Sequence, residues 1–189
     1  AMSMDFLQIL IRKIDYWLNS PDFLTLLTNN RFLLILLVIV LMRLKYNTYS
    51  SMWASALVNI PGTILHELMH FTVGLLLNAR PCNFTIFPRK ASDGSYVMGS
   101  VGFRNVTFYN AVPSAMAPLF LLVIGFMINR YYLPIMPLTA VNYILYVLLQ
   151  TIIIENAMPS GADFRVAGMY LKGILLYSIL FAAWLVSLL

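Results

Sequence analysis

The chain is poor in charge: 10% of its 189 residues are charged, whereas 61% are hydrophobic. Soluble globular domains carry about 25% charged residues, so these charges are too few to cover a soluble surface of this size. A single cysteine excludes a disulfide scaffold, and the high hydrophobic content excludes a disordered chain. The 12 Lys and Arg residues are scattered between apolar runs, which argues against a nucleic-acid partner. We therefore expect an integral, multi-pass membrane protein surrounded by lipid bilayer.

The apolar runs predict an α-helical polytopic fold with about five transmembrane helices, because roughly 20 apolar residues cross a bilayer. The first 31 residues differ, since apolar positions at helical spacing oppose charged ones, which is typical of an interfacial helix. The predicted organisation is an amphipathic segment over 1–31 and one transmembrane domain over 32–189. The predicted spans are Phe32–Met42, which is short, and Met52–Asn78, Ala111–Asn129, Leu133–Ile154 and Tyr170–Leu189.

A β-hairpin is predicted within 82–108, after the second span. Asn83–Phe87 and Tyr96–Phe103 alternate between apolar and polar residues, as strands do. The stretch Ala91–Ser95 between them contains the turn dipeptide Asp93-Gly94. Backbone at the edge of a sheet is unsatisfied in lipid, so protein or water must cover this hairpin.

The distribution of Lys and Arg predicts an orientation. If all five spans hold, most basic residues share a side with the N-terminus, the 79–109 loop and the 155–172 stretch; Arg31 belongs to this side and Arg130 to the other. The positive-inside rule places the richer side in the cytoplasm. We expect a prokaryotic cytoplasmic membrane as the location.

The two histidines of the chain, His66 and His70, are four residues apart and Glu67 lies between them. Positions i and i+4 share a face of a helix, so both imidazoles can bind a single ion. In this HExxH pattern two histidines bind Zn²⁺ and the glutamate acts as a general base. Ionisable residues within an apolar span are costly, which favours a functional interpretation. A buried polar cluster or a proton relay is the alternative, but neither needs this spacing.

Catalytic zinc normally has three protein ligands and an open position for water. With no third histidine, the remaining ligand must be a carboxylate or Cys82. Asp163 and Glu155 are the candidates near a break in helical structure at Pro159 and Gly161, where the backbone can fold back towards a polar site. We favour Asp163 over Glu155.

Two of the residues near this break have a structural alternative. Ser160, three positions before Asp163, predicts a capping box in which Asp163 would only satisfy the start of a helix. Asn156 is predicted to contact substrate, as a donor to its backbone or to an oxyanion. An interhelical hydrogen bond is the alternative for Asn156.

HExxH in an apolar helix, a following hairpin, and Asn156-x-x-Pro159 leading to Asp163 together resemble the site-2 protease family of intramembrane zinc metalloproteases. The resemblance covers about 52–168 and implies a minimal catalytic core without PDZ or CBS domains. It implies His66, His70 and Asp163 as zinc ligands, Glu67 as catalytic base and Asn156 as a contact to substrate. The chain departs from the family in the spacing between Pro159 and Asp163, which is one residue shorter, and in having Phe164 where glycine is usual.

The predicted function is hydrolysis of peptide bonds in transmembrane proteins or peptides, with one Zn²⁺ per chain and the active site towards the cytoplasm. Three alternatives stay open. The chain could be a membrane-embedded zinc peptidase acting on soluble or lipidated peptides, which would favour Glu155 as ligand. It could be a catalytically silent metal-binding scaffold, although such a site needs no base at Glu67. It could be a transporter, which the lack of an internal repeat makes a poor fit.

Overall fold

The computed structural model describes residues 2–46, 52–90 and 96–188, and helices dominate it. Four helices precede the hairpin and five follow it in the described ranges, with a 3₁₀ turn at Ala117–Leu119 and a π-helical turn at Ile128–Tyr132. The helices are α1 Met2–Leu18, α2 Pro21–Asn29, α3 Arg31–Tyr46, α4 Met52–Leu76, α5 Ala111–Ala115, α6 Phe120–Met127, α7 Ala140–Asn156, α8 Gly161–Ala167 and α9 Leu171–Val186. The strands are β1 Pro81–Thr85, β2 Arg89–Lys90, β3 Tyr96–Val97 and β4 Ser100–Phe103.

The helices are less continuous than the predicted spans. Over the described ranges, no single helix is both long and apolar enough to cross a bilayer. Two consecutive pairs reach that length and hydropathy jointly: α2 with α3, bent by 83°, and α7 with α8, bent by 49°. The predicted helical fold is therefore confirmed, but the picture of about five unbroken spans is corrected.

Prolines and polar side chains explain why these helices fail as single spans. Pro118 lies in the 3₁₀ turn that separates α5 from α6, and its missing N–H cannot continue a helical hydrogen-bond pattern. Pro137 precedes α7, which begins at Ala140 and not at Leu133 as predicted. The 25 residues of α4 are long enough, but polar side chains such as Glu67 lower its hydropathy.

The predicted hairpin is confirmed as an antiparallel arrangement. β1 pairs with β4, with Pro81 opposite Phe103 and Cys82 opposite Gly102, and β2 pairs with β3 further out. The register shifts after Cys82, where Asn83 has a φ of 53°, as in a β-bulge. The predicted turn at 91–95 lies outside the described residues.

The chain divides into two compact units, a division that differs from the predicted boundary at residue 31. The first unit comprises 1–46 with 126–151, and the second comprises 47–125 with 152–189. The core of the first unit is built from α3 and the segment around α7, and it consists of Val38, Met136, Tyr143, Tyr146 and Val147.

Within the first unit, Arg31 and Arg130 line the same cavity of about 190 Å³. This proximity does not fit their predicted placement on opposite sides of a hydrocarbon layer about 30 Å thick. The orientation of the N-terminal segment stays a prediction.

In the second unit, α4 packs against α5, the 3₁₀ turn, β1 and β4, while α5 also packs against α8 and α9. Asn110 ties the end of the hairpin to α4. Its amide donates to the carbonyl oxygens of Leu77 and Asn105, and its side-chain oxygen accepts from the backbone N–H of Thr107. Because Asn110 is fully buried, these bonds fix how the chain leaves the sheet and enters α5.

Candidate metal centre

His66 and His70 lie one turn apart on α4, as their spacing predicts. Their Nε2 atoms are 3.2 Å apart, and His70 is buried while His66 is partly buried. The helix thus directs two imidazole nitrogens at one point in space. This part of the predicted site depends only on local helical geometry.

Backbone carbonyls fix the orientation of both imidazoles. Nδ1 of His66 lies 2.8 Å from the carbonyl oxygen of Asn156, and Nδ1 of His70 lies 2.8 Å from that of Ser114. A carbonyl oxygen only accepts hydrogen bonds, so each Nδ1 must carry a proton and donate it. Such a bond to a carbonyl leaves Nε2 as the ligand atom, as is usual for histidines that bind metals.

Asp163 faces both histidines. Its Oδ1 lies 3.1 Å from Nε2 of His70, and its Oδ2 lies 3.6 Å from Nε2 of His66. One ligand atom from each of the three residues lies within 4.8 Å of the others. Two nitrogen lone pairs and a carboxylate repel one another at this separation unless a cation lies among them. The three residues can therefore hold a metal ion.

The capping box predicted at Ser160 is also present, so the two interpretations of Asp163 are compatible. Oδ2 of Asp163 accepts from the N–H of Ser160 at 2.6 Å, and Oγ of Ser160 accepts from the N–H of Asp163 at 3.3 Å. The box anchors the carboxylate at the start of α8 while Oδ1 faces His70. The cap thereby positions the candidate ligand.

No family model, curated protein or solved structure matches this chain. The resemblance to the site-2 protease family therefore stays a prediction.

Glu67 points into the same cavity as the candidate ligands and is only 6% exposed. The hairpin covers it: the backbone of Val101 hydrogen-bonds the Glu67 carboxylate, and Gly99 lies directly against Thr63 and Glu67. A Cβ atom at Gly99 would lie 2.5 Å from Cγ2 of Thr63 and 3.0 Å from Oε1 of Glu67. Only glycine fits there, which sequence reasoning missed because the contact joins residues 32 positions apart in the sequence, 67 and 99.

The cavity around these residues has a volume of about 650 Å³. Its walls come from α4, from the hairpin segment 97–103 and from the segment 155–166. Arg89 and Arg165 line it together with the three candidate ligands and Glu67. A cleft of this size, bounded on one side by strand residues of the hairpin, has room for an extended peptide segment beside the candidate ligands.

The other candidate residues take different places. Glu155 lines the cavity but is not a member of the three-residue ligand group. Cys82 lies in β1 and is not a member either. The side chain of Asn156 donates to the carbonyl of Ile152 at 2.8 Å and lies against Gly62. The predicted contact of Asn156 with substrate stays a prediction. Its backbone carbonyl orients His66, a role that the residue type did not indicate.

Ser114 is a further residue that sequence reasoning missed. It is buried, and its carbonyl oxygen accepts the Nδ1 proton of His70. Its hydroxyl oxygen is buried without a hydrogen-bond partner in the described structure. Every residue has a backbone carbonyl, so no pattern in the sequence could single this one out.

Proposed function

We propose that the chain is a membrane-embedded zinc endopeptidase that cleaves transmembrane proteins or peptides. One observation carries the proposal: two carbonyl-oriented histidines and the carboxylate of Asp163 converge beside the buried carboxylate of Glu67. Three ligands that leave a coordination position open, with a base beside them, are the pattern of a hydrolytic zinc site.

His66, His70 and Asp163 would hold the ion. Zn²⁺ bound there would polarise the substrate carbonyl and bring the pKa of water close to neutrality. Glu67 would accept a proton from the attacking water while the oxygen of that water bonds to the carbonyl carbon of the substrate. It would then deliver the proton to the leaving amine as the C–N bond breaks. The hairpin segment over Glu67 would keep bulk water away from this proton transfer.

The donor set supports a catalytic site over a silent scaffold. Structural zinc sites are closed by four protein ligands, whereas the described residues supply a group of three. Glu67 is not part of that group, but it is buried beside the group. Burial of a carboxylate is energetically unfavourable, and a structural metal site does not need one there.

A bilayer as the surroundings is supported by the apolar surface. Large apolar side chains are exposed on many helices, for example Phe6, Leu57, Phe126 and Ile179, each more than 60% exposed. Exposed apolar areas of this kind mark contacts with membrane or protein. The two bent helix pairs add weak support by length and composition. The orientation with the site towards the cytoplasm stays a prediction.

A peptidase acting on soluble or lipidated peptides is the second hypothesis. It favoured Glu155 as the third ligand, and Glu155 lies outside the group of converging ligand atoms. The residue types of the candidate metal site fit both substrate classes. The experiment therefore includes both substrate classes.

The test is zinc content and peptide cleavage by the full chain in liposomes, measured for the wild type and for Glu67→Gln. We expect about one zinc per chain in both proteins, and cleavage of a transmembrane peptide by the wild type alone. A wild type that binds no zinc after purification without chelators would overturn the metal site. Zinc binding without cleavage of transmembrane, soluble or lipidated peptides would overturn the peptidase proposal and support the metal-binding scaffold instead.

A further inference from the structure

A second polar cavity lies in the first unit, separate from all residues of the candidate metal centre. It has a volume of about 190 Å³ and is enclosed by the ends of α2 and α3, by 129–134 and by α7. Arg31, the first residue of α3, and Arg130, in the π-helical turn, both line it. Both arginines are exposed residues, and both contribute to the lining of this one cavity.

The hydroxyl groups of this cavity donate their protons within the protein. The hydroxyl of Tyr146 donates to the side-chain oxygen of Asn129, and the hydroxyl of Tyr143 donates to the carbonyl of Leu27. The hydroxyl of Thr28 likewise donates within its own helix, to the carbonyl of Leu24. The guanidinium N–H groups of Arg31 and Arg130 are therefore the charged donors among the residues that line the cavity.

Counter-charge is missing from the lining. The residues around the cavity include no Asp or Glu, and neither Arg31 nor Arg130 forms an ion pair with any residue that the structure describes. Asp22 lies with Arg31 at a different, open groove. Like charges that line one cavity repel one another. The N-terminal end of α3 adds a positive partial charge beside Arg31.

An anion in the cavity would relieve this repulsion. Guanidinium groups bind phosphate oxygens with paired, charge-assisted hydrogen bonds, so a phosphate group matches these donors well. The remaining lining is apolar and includes Leu34, Leu133 and Pro134, which suits a ligand whose phosphate carries a hydrocarbon part. We propose that this cavity binds a phosphate group between Arg31 and Arg130.

The phosphate could belong to the headgroup of an anionic phospholipid or to free phosphate, and binding measurements separate the two. Retention of phosphatidylglycerol by the delipidated full chain in detergent would be measured by native mass spectrometry, with phosphatidylcholine as the comparison lipid. Inorganic phosphate would be tested by its effect on the Tm, against chloride at equal ionic strength.

Arg31→Gln and Arg130→Gln are the test variants, and Arg43→Gln is the matched control. Arg43 is exposed and lies on α3, but it does not line the cavity. We expect each cavity variant to weaken binding of the phosphate-bearing probe about tenfold or more, and the control to change it less than about twofold. Arg31→Lys keeps the positive charge and serves as the test variant if Arg31→Gln fails to fold. Its binding of the phosphate-bearing probe should be weaker than that of the wild type but stronger than that of Arg31→Gln, because Lys loses the paired hydrogen bonds of a guanidinium group.

Each outcome decides the proposal. Selective retention of phosphatidylglycerol that the cavity variants abolish would identify a lipid headgroup. A Tm increase with inorganic phosphate that the same variants abolish would identify free phosphate. Equal losses in Arg43→Gln, or binding that no cavity variant weakens, would overturn the proposal, because the attraction would then be general and not a site.

Discussion

The backbone carbonyl of Asn156 accepts the Nδ1 proton of His66 at 2.8 Å, across 90 positions of sequence. This bond joins the end of α7 to the middle of α4 and leaves Nε2 of His66 free to bind metal. Seven residues further along, the same chain segment supplies Asp163. One segment thus orients His66 and supplies the third candidate ligand, so a displacement of this segment should disturb both.

Replacing Asp163 with Asn should abolish zinc binding. The side-chain oxygen of Asn can still accept from the backbone N–H of Ser160, so the variant removes the charged candidate ligand while leaving the capping box intact. The loss of zinc affinity should exceed the roughly 10–100-fold that removal of a second-shell partner costs. Zinc content after dialysis, measured by elemental analysis, reports the effect.

Glu155→Gln is the matched control for this prediction, because Glu155 lines the same cavity outside the ligand group. It should retain zinc. The reverse result, zinc lost from Glu155→Gln and kept by Asp163→Asn, would transfer the third ligand to Glu155 and support the peptidase acting on soluble or lipidated peptides.

Ser160→Ala tests whether the cap positions the ligand. The variant removes the hydroxyl that accepts from the N–H of Asp163, which should cost about 0.5–2 kcal/mol of stability. If the cap also holds the carboxylate near His70, zinc affinity should fall by roughly tenfold. Ser160→Asn should restore both properties, since Asn is an equally good cap. If Ser160→Ala is destabilised but keeps its zinc affinity, the cap stabilises the start of α8 and does not position the carboxylate of Asp163.

Gly99→Ala should reduce cleavage without removing zinc. The added methyl would meet Cγ2 of Thr63 and the Glu67 side chain, and either the hairpin or the base must move. A displaced general base costs on the order of 100-fold in rate, and we expect this loss in kcat with zinc content unchanged. Gly161→Ala is the control, because a Cβ there meets nothing within 4 Å. Full activity of Gly99→Ala would mean that the position of the hairpin over Glu67 is unimportant for catalysis.

Gly62→Ala should weaken zinc binding from a distance. A Cβ at Gly62 would lie 2.0 Å from Nδ2 of Asn156, so Asn156 must shift, and its carbonyl holds His66. We expect a loss of roughly 10–100-fold in zinc affinity, the usual effect of a disturbed second shell. Titration with a fluorescent zinc chelator as competitor measures it.

Asn156→Ala provides the rescue for that variant. It keeps the backbone carbonyl and removes the side chain that Gly62→Ala would strike, so the double variant should regain zinc affinity. Asn156→Ala alone should keep zinc and lower cleavage if the side chain contacts substrate as predicted. A double variant as poor in zinc as Gly62→Ala would place the disturbance elsewhere in α4.

The sequence by itself determined the features that depend on neighbouring residues. His66 and His70 converge because a helix repeats every 3.6 residues, β1 and β4 pair as strands close together in the sequence, and Ser160-x-x-Asp163 caps α8 because all its hydrogen bonds are local. Such patterns need no knowledge of the path of the chain.

Only the tertiary structure decided what depends on that path. It brought Asp163, and not Glu155, into one group with the two histidines, brought the carbonyls of Ser114 and Asn156 to the two imidazoles, and set Gly99 against Glu67. It also brought Arg31 and Arg130 to one cavity, although hydropathy and charge had separated them. A hydropathy profile gives the length and the apolar character of a segment. Turns such as the one at Pro118 determine the direction of the element that follows. Contacts between residues far apart in the sequence depend on those turns and on side-chain packing, which local sequence patterns do not predict.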